Sequence, residues 1–308
     1  MHRLFLPVLI LMLAGCSGSS KPEGAKTFTI GMSQCNLGEP WRVQMNADID
    51  AAAKKHSNLK MVFKDAQNDT LKQRAHIEEL VSAGVDAIIV SPKESQPLTE
   101  PIAKAYQAKI PVIVLDRAVQ GDQFTCFIGA DNRKIGKAAG EWLRKKLGPK
   151  ATVVELKGLM TSIPGQDRNQ GFRSGIEGSG INVAFEADMK WLEPDARKEM
   201  ESALARLSKI DAVYAHNDPG AHGAWLAAKA ANREREMLFV GIDALPHEGI
   251  AYVKQGILNA TFQYPTGGAE AIDTVLKVLS GQQVPKTIVL GSRVYTADNV
   301  EQGGEALP

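Results

Sequence analysis

Ala87-Ile88-Ile89-Val90 and Pro111-Val112-Ile113-Val114-Leu115-Asp116-Arg117 decide the fold. In both segments apolar residues, mostly β-branched, follow one another without the polar alternation of a strand that faces water on one side. Such strands are buried on both faces, and the helical pattern over 101–108 between them supplies a crossover. The same rhythm holds on either side. Strand patterns at 28–32 and 60–63 and helical spacing over 41–56 and 70–83 come before. Helices predicted over 134–146, 167–177, 196–207 and 223–231 alternate with strands at 152–156, 181–185, 212–215 and 238–242 after it. Two successive strand–helix series predict an α/β fold with two similar lobes, each a doubly wound parallel sheet. No short-period repeat or low-complexity block interrupts them.

Composition narrows the partners. Hydrophobic residues make up 44% and charged residues 23%, the proportions of a globular chain. Lys and Arg together number 36 against 35 Asp and Glu, and loss of Arg3 with the leader described next leaves the charge balanced. A balanced chain has no electrostatic attraction for nucleic acid or an anionic membrane surface, so a neutral partner is expected.

The first residues read as an export signal. His2 and Arg3 precede an apolar run from Leu4 to Ala14, too short for a bilayer that needs about 20 residues. The run ends in Leu13-Ala14-Gly15-Cys16, which resembles the bacterial lipobox. That resemblance implies removal of residues 1–15, lipidation of Cys16 as the mature N-terminus, and a tether over 16–26. Ser17 to Gly24, small and polar, suits a tether. The protein is then exported, in the periplasm or on the outer face of the cell membrane, and touches the membrane only through its lipid. Beyond Cys16 only Cys35 and Cys126 remain. An oxidising compartment permits a pair, but they are expected on non-neighbouring strands of one sheet, and spacing alone does not bring their Cα atoms together.

In doubly wound sheets the ligand crevice lies beyond the carboxyl ends of the strands. The polar residues there are Ser33 to Arg42, Ser91-Pro92-Lys93 and Asp116-Arg117 in the first series, and Gln166 to Arg168, Asn217-Asp218 and Asp243 in the second. Asp116 accepts and Arg117 donates in a fixed fork, which suits adjacent hydroxyls of a polyol as well as a salt-bridged strand end. Asp243 repeats the placement, and Asn217 reads equally as a turn cap or a contact. Trp41 and Trp191 could pack on the C–H face of a sugar ring or sit in the core. No nucleophile elbow, P-loop, Gly-x-Gly-x-x-Gly or His-Glu-x-x-His is present, and the six histidines lack metal-ligand spacing. No catalytic residue, metal or cofactor is predicted.

Several segments now stand in order: Ile110 to Arg117, Ile128-Gly129-Ala130-Asp131-Asn132, Asp167-Arg168-Asn169-Gln170-Gly171-Phe172, Ala215-His216-Asn217-Asp218 and Val240-Gly241-Ile242-Asp243. Over essentially the whole mature chain this resembles the ribose-type sugar-binding proteins of ABC importers, the type I periplasmic binding proteins. The resemblance implies two lobes joined by three crossings, one of residues 27–130 and 265–291, the other of 131–264 and 292–308. It implies sugar contacts at Asp116, Arg117, Arg168, Asn217 and Asp243, a stacking ring at Trp191, and polar contacts at Ser91 and at Gln263 or Tyr264. The first loop departs from the ribose pattern. Glu39-Pro40-Trp41-Arg42 has Arg42 where an aromatic belongs, and this Trp41–Arg42 pair is similar to the galactofuranose-binding branch.

The implied function is capture of a small neutral sugar or polyol, a pentose or hexose, by a monomer that hands it to an ABC permease. A sugar sensor of the same fold, signalling to a membrane kinase or chemoreceptor, is the alternative. A repressor's effector domain shares the fold but needs a basic helix-turn-helix where this chain has its export signal. An exported sugar hydrolase or isomerase lacks a catalytic constellation here.

Overall fold

The computed structural model describes residues 26–308. The signal reading of 1–15, the lipid site at Cys16 and all of the tether but Lys26 fall outside the described residues. The first series runs β1 (Phe28–Gln34), α1 (Pro40–Ala53), β2 (Leu59–Asp65), α2 (Thr70–Ser82), β3 (Ala87–Ser91), α3 (Ser95–Gln107), β4 (Val112–Leu115) and β5 (Cys126–Ala130). The second runs α4 (Asn132–Lys146), β6 (Thr152–Lys157), α5 (Ile163–Ile176), β7 (Asn182–Asp188), α6 (Glu193–Arg206), β8 (Ala212–Ala215), α7 (Asp218–Ala230), β9 (Leu238–Asp243), α8 (Gly249–Lys254) and β10 (Ala260–Gln263). The chain then returns through α9 (Gly268–Leu279) and β11 (Thr287–Leu290), and ends in β12 (Arg293–Thr296) and β13 (Glu305–Ala306).

Two sheets result. The first has strand order β11-β5-β4-β3-β1-β2 and is parallel throughout. The second has order β13-β12-β10-β9-β8-β6-β7, parallel from β10 to β7. Its β12 and β13 are antiparallel additions that strand patterning did not predict. β12 follows β11 across only two residues but lies in the other sheet, where it pairs with β10. The chain passes between the sheets three times, at 131, at 264–267 and at 291–292.

Both-face burial of the deciding strands is literal. Ile88, Val90, Val112 and Val114 pack with Ile77, Leu80, Leu98 and Ile102 of α2 and α3. Their neighbours Ile89, Ile113 and Leu115 pack with Met45, Ile49, Ile272 and Val275 of α1 and α9 on the opposite side. The period of two thus sends alternate residues into separate apolar layers. β8 does the same, with Val213 and Ala215 in one layer and Ala212 and Tyr214 in the other.

Five helices begin two or more residues earlier than periodicity indicates. α3 starts at Ser95 rather than 101, and α5 and α7 start before 167 and 223 with Pro164 and Pro219 in their opening turns. α4 and α6 also start two and three residues before 134 and 196, and Pro194 opens α6. The first four N–H groups of a helix have no intrahelical partner, so proline fits there without losing a bond. Cys35 and Cys126 are both free and buried. Cys35 follows β1 and Cys126 opens β5, with β3 and β4 between those strands.

α4 and α5 approach closely through glycines. A Cβ at Gly171 would collide with the Arg133 carbonyl, and one at Gly140 would stand 2.6 Å from the Phe172 carbonyl. Because both obstacles are backbone, neither can swing aside. Gly171→Ala is expected to destabilise by about 1–3 kcal/mol and to lower the thermal midpoint by roughly 2–10 °C, read by calorimetry.

Candidate functional site

A narrow cavity lies between the carboxyl ends of the two sheets, where the lobes meet. Trp41, Arg42, Asp116 and Arg117 line it from the first lobe, and Arg168, Trp191, Asn217 and Asp243 from the second. Tyr264, on the second crossing, closes the side between them.

The first wall is organised around Arg42. Its Nη2 donates to Asp116 Oδ2 at 2.9 Å, its Nη1 to Ser91 Oγ at 2.8 Å and Gln34 Oε1 at 3.2 Å, and its Nε to Glu39 Oε1 at 3.4 Å. Burial works against its charge, and Cys35, Glu39 and Asp116 together overcome that, so its pKa is raised. Most of the fork is therefore spent inside the protein, and Arg42 chiefly holds Asp116 in place. Asp116 Oδ2 also accepts from Ser91 Oγ at 3.2 Å, and among the described residues Oδ1 has no hydrogen-bond partner. Arg117 is anchored through Nη1 to the Lys93 carbonyl at 3.0 Å. Burial raises the Cys35 thiol's pKa, so it stays neutral beside the two arginines.

The second wall is organised around Arg168. Nε donates to Asn132 Oδ1 at 2.8 Å, and Nη1 donates to the His216 carbonyl. Asp243 Oδ1 lies 3.8 Å from Nη1. Beneath His216, fully buried Glu155 accepts from Asn169 at 2.9 Å and Arg173 at 2.7 Å and stands 3.1 Å from His216 Nε2. Burial would raise the Glu155 pKa, but His216, Arg173 and Asn169 prevail and lower it. Burial lowers the His216 pKa, so a neutral imidazole donates from Nε2 to the carboxylate.

Trp191 is held at φ 72°, after Lys190 at φ 53°, a left-handed conformation that bulky residues rarely adopt. Asn217 Nδ2 donates to the Trp191 carbonyl at 2.9 Å, and Asn217 Oδ1 caps α7 through Gly220 N at 3.0 Å. Asn217 is thus both helix cap and cavity wall. The Arg117 and Arg168 guanidiniums lie 5.6 and 5.3 Å from the indole centroid, within cation–π range. Trp41 Nε1 donates to the Tyr264 carbonyl at 2.8 Å, its ring 5.4 Å from that of Tyr264.

Two expected residues sit elsewhere. Ser91 lies behind Arg42 and Asp116, pinned by both, and does not line the cavity. Gln263 lines a neighbouring groove with Gln44 and Asp48, and of the two residues offered at this crossing it is Tyr264 that lines the cavity. Glu39 and Pro164 line the cavity without having been predicted as site residues. Glu39 stood in the quoted first loop, but nothing in the sequence shows that it pairs with Arg42. Among the described residues no cluster of His, Cys, Asp or Glu could hold a metal ion.

The acidic side of the second wall is crowded. Burial raises the pKa of Asp243 well above the usual carboxylate range; Arg168 opposes the shift, and Asp218, Glu248 and Glu39 add to it. A hydroxyl donated by a solute would stabilise the Asp243 anion. Asp218, buried but bonded to Thr261 Oγ1 at 2.6 Å and Ala244 N at 2.7 Å, is raised to about 6. Glu248 has one buried oxygen without a partner, and burial followed by repulsion from Asp218 and Glu193 raises it to about 7.

The chain is similar to known proteins in sequence and in fold. Residues 30–283 match the model of the periplasmic binding protein domain. The ribose import binding protein of Bacillus subtilis (strain 168) is 30% identical over 294 residues, covering 92% of this chain and 95% of that protein. The galactofuranose-binding protein of Escherichia coli (strain K12) is 28% identical over 307 residues, covering 96% of each. The fructose binding periplasmic domain of a hybrid two component system superposes with TM-score 0.87 at 40% identity, covering 90% of this chain and 93% of that one. All three are named for binding, and no helix among the described residues is long and apolar enough to cross a membrane.

Because its folded pKa exceeds the unfolded 4.5, Glu248 holds a proton that the unfolded chain has lost, and its contribution to stability disappears as pH rises through about 7. Glu248→Gln is therefore expected to raise the thermal midpoint relative to wild type by a few degrees more at pH 8 than at pH 5. The opposite slope from His216 is common to both proteins and cancels.

With matched model, matched relatives and a shared two-sheet architecture, the chain belongs to the periplasmic binding protein family.

Proposed function

We propose that this is a lipid-anchored solute-binding protein that captures a monosaccharide or polyol between its lobes and delivers it to an ABC permease. The observation that carries the reading is the two-sided cavity. Each wall offers a carboxylate oxygen and a guanidinium, and indoles lie beside them. A sugar has an apolar ring face and a rim of hydroxyls that both donate and accept, which is the complement of such a wall. The lobes, 27–130 with 265–291 and 131–264 with 292–308, close about the three crossings, and the ligand bridges them. Tight pairing also gives selectivity, since a sugar lacking one hydroxyl leaves a buried polar group unsatisfied.

The sugars for which the relatives are named, ribose, galactofuranose and fructose, support a pentose or hexose. The Trp41–Arg42 pair favours a furanose ring. The protein acts as a monomer without a cofactor, and as a binder, not an enzyme. Its anchor is Cys16, on the periplasmic or outer face of the cell membrane. A sensor role is the second reading, favoured by the 40% identity to the domain of a two component system. Loss of sugar uptake on gene deletion supports import; loss of sugar-induced transcription with uptake intact supports sensing.

A thermal-shift screen against D-ribose, L-arabinose, D-galactose, D-fructose and myo-inositol tests the capture itself. A ligand at about 100 times its Kd adds roughly 2.7 kcal/mol and raises the midpoint clearly. No rise with any of them in protein freed of co-purified ligand refutes the sugar reading. Asp116→Asn keeps the side-chain volume and leaves Arg42 paired with Glu39. It is expected to weaken binding by about 10- to 100-fold with the fold intact, measured by titration calorimetry. Undiminished affinity would remove Asp116 from the contacts.

A further inference from the structure

Asn132 does not line the cavity between the sheets, yet its side chain is wired to both walls. It is the first residue of α4, immediately after the first crossing, and only 6% exposed. Its Oδ1 accepts from Arg168 Nε at 2.8 Å, and its Nδ2 donates to Tyr264 Oη at 3.4 Å. Tyr264, on the second crossing, donates from Oη to the Asp116 carbonyl at 3.1 Å. The Tyr264 ring lies 4.8 Å from the Arg168 guanidinium. One hydrogen-bonded chain therefore runs from Arg168 in the second lobe, through residues at two of the three crossings, to Asp116 in the first.

The chemistry at position 132 is specific. The side chain accepts from a cation on one side and donates to a hydroxyl on the other, which an amide does and an aliphatic side chain does not. Arg168 has Nε on Asn132 and Nη1 on the His216 carbonyl, while Nη2 has no protein partner among the described residues. Two anchors set the plane of the guanidinium and leave Nη2 for a solute. Without the Nε anchor the plane turns about its remaining bond.

We infer that Asn132 is a positioning residue that couples the hinge to the presentation of Arg168, so that the donor is aligned only when the two crossings are in their closed relation. Lobe opening that turns the first crossing against the second separates Asn132 from Tyr264 and takes Arg168 out of line with Asp116. The inference rests on the sugar-capture reading and on Arg168 as a ligand contact within it.

The test uses the full chain as wild type, Asn132→Ala, Asn132→Asp and Tyr264→Phe, titrated with D-ribose, L-arabinose, D-galactose and D-fructose and followed by stopped flow. For a sugar that the wild type binds, Asn132→Ala is expected to weaken affinity by about tenfold or more, mainly through faster dissociation. Asn132→Asp, which keeps the oxygen for Arg168 Nε but has no donor for Tyr264, is expected to recover part of the affinity lost in Asn132→Ala and to dissociate about as fast as Tyr264→Phe. A merely structural asparagine would give no such rescue.

Should Asn132→Ala not fold, the other two variants decide. The aspartate variant must bind as above, and Tyr264→Phe, which removes the hydroxyl that joins Asn132 to the Asp116 carbonyl, must dissociate faster than wild type. Affinity of Asn132→Ala within about twofold of wild type, or Asn132→Asp as weak as Asn132→Ala, overturns the inference alone. A wild type that binds none of the four sugars overturns the sugar reading and this inference with it.

Discussion

A strand covered by helices on both faces tolerates almost no polar side chain along its length, because such a group would be buried without a partner. This constraint governs the chain. β3 and β4 send alternate residues into two dry layers, so their polar groups collect at the carboxyl ends, at Ser91, Asp116 and Arg117. β8 and β9 do the same in the second sheet with Asn217 and Asp243. Glu155 shows what the exception requires. It sits fully buried inside β6 and is held by His216, Asn169 and Arg173 together.

Chemistry confined to strand ends becomes a site only when two such ends face each other. Even then, most of the polar capacity is used internally. Arg42 spends its fork on Glu39, Gln34, Ser91 and Asp116, and Asn217 spends its amide on a helix cap and the Trp191 backbone. What remains for a solute is a small set of groups whose directions are already set. Pre-organisation of this kind reduces the ordering cost of binding and sharpens selection. The left-handed residues Asp116, Trp191 and Ala244, together with Asp243 at φ 129°, cluster at the same ends. Strain concentrated there is maintained by the surrounding hydrogen bonds.

The hinge belongs to this network and is more than a tether between lobes. Tyr264 receives Trp41 Nε1 on its carbonyl, contacts Arg168 through its ring and reaches Asp116 through its hydroxyl. A crossing residue that touches both walls makes lobe orientation and site geometry one variable. In the proposed capture, hinge motion would change the alignment of donors as well as the size of the cleft.

The alternation of strands and helices, the parallel sense of the main sheets and the strand-end address of the polar residues were all legible in the sequence, because periodicity and β-branched runs report burial and direction locally. Helix starts such as Ser95 and Ile163 were not, since their proline-containing first turns carry no apolar period. Most cavity-lining residues were reached by strand-end reasoning and resemblance, whereas Ser91 and Gln263 sit behind or beside the cavity and Glu39 joins it. The difference lies in partner choice. Arg42 and Asp116 are 74 positions apart, and Trp41 and Tyr264 are 223 apart. Local patterns determined which residues reach the strand ends. Only the packed tertiary structure decided which of them pair with each other and which remain for a ligand, because hydrogen bonds depend on distances that no local spacing encodes.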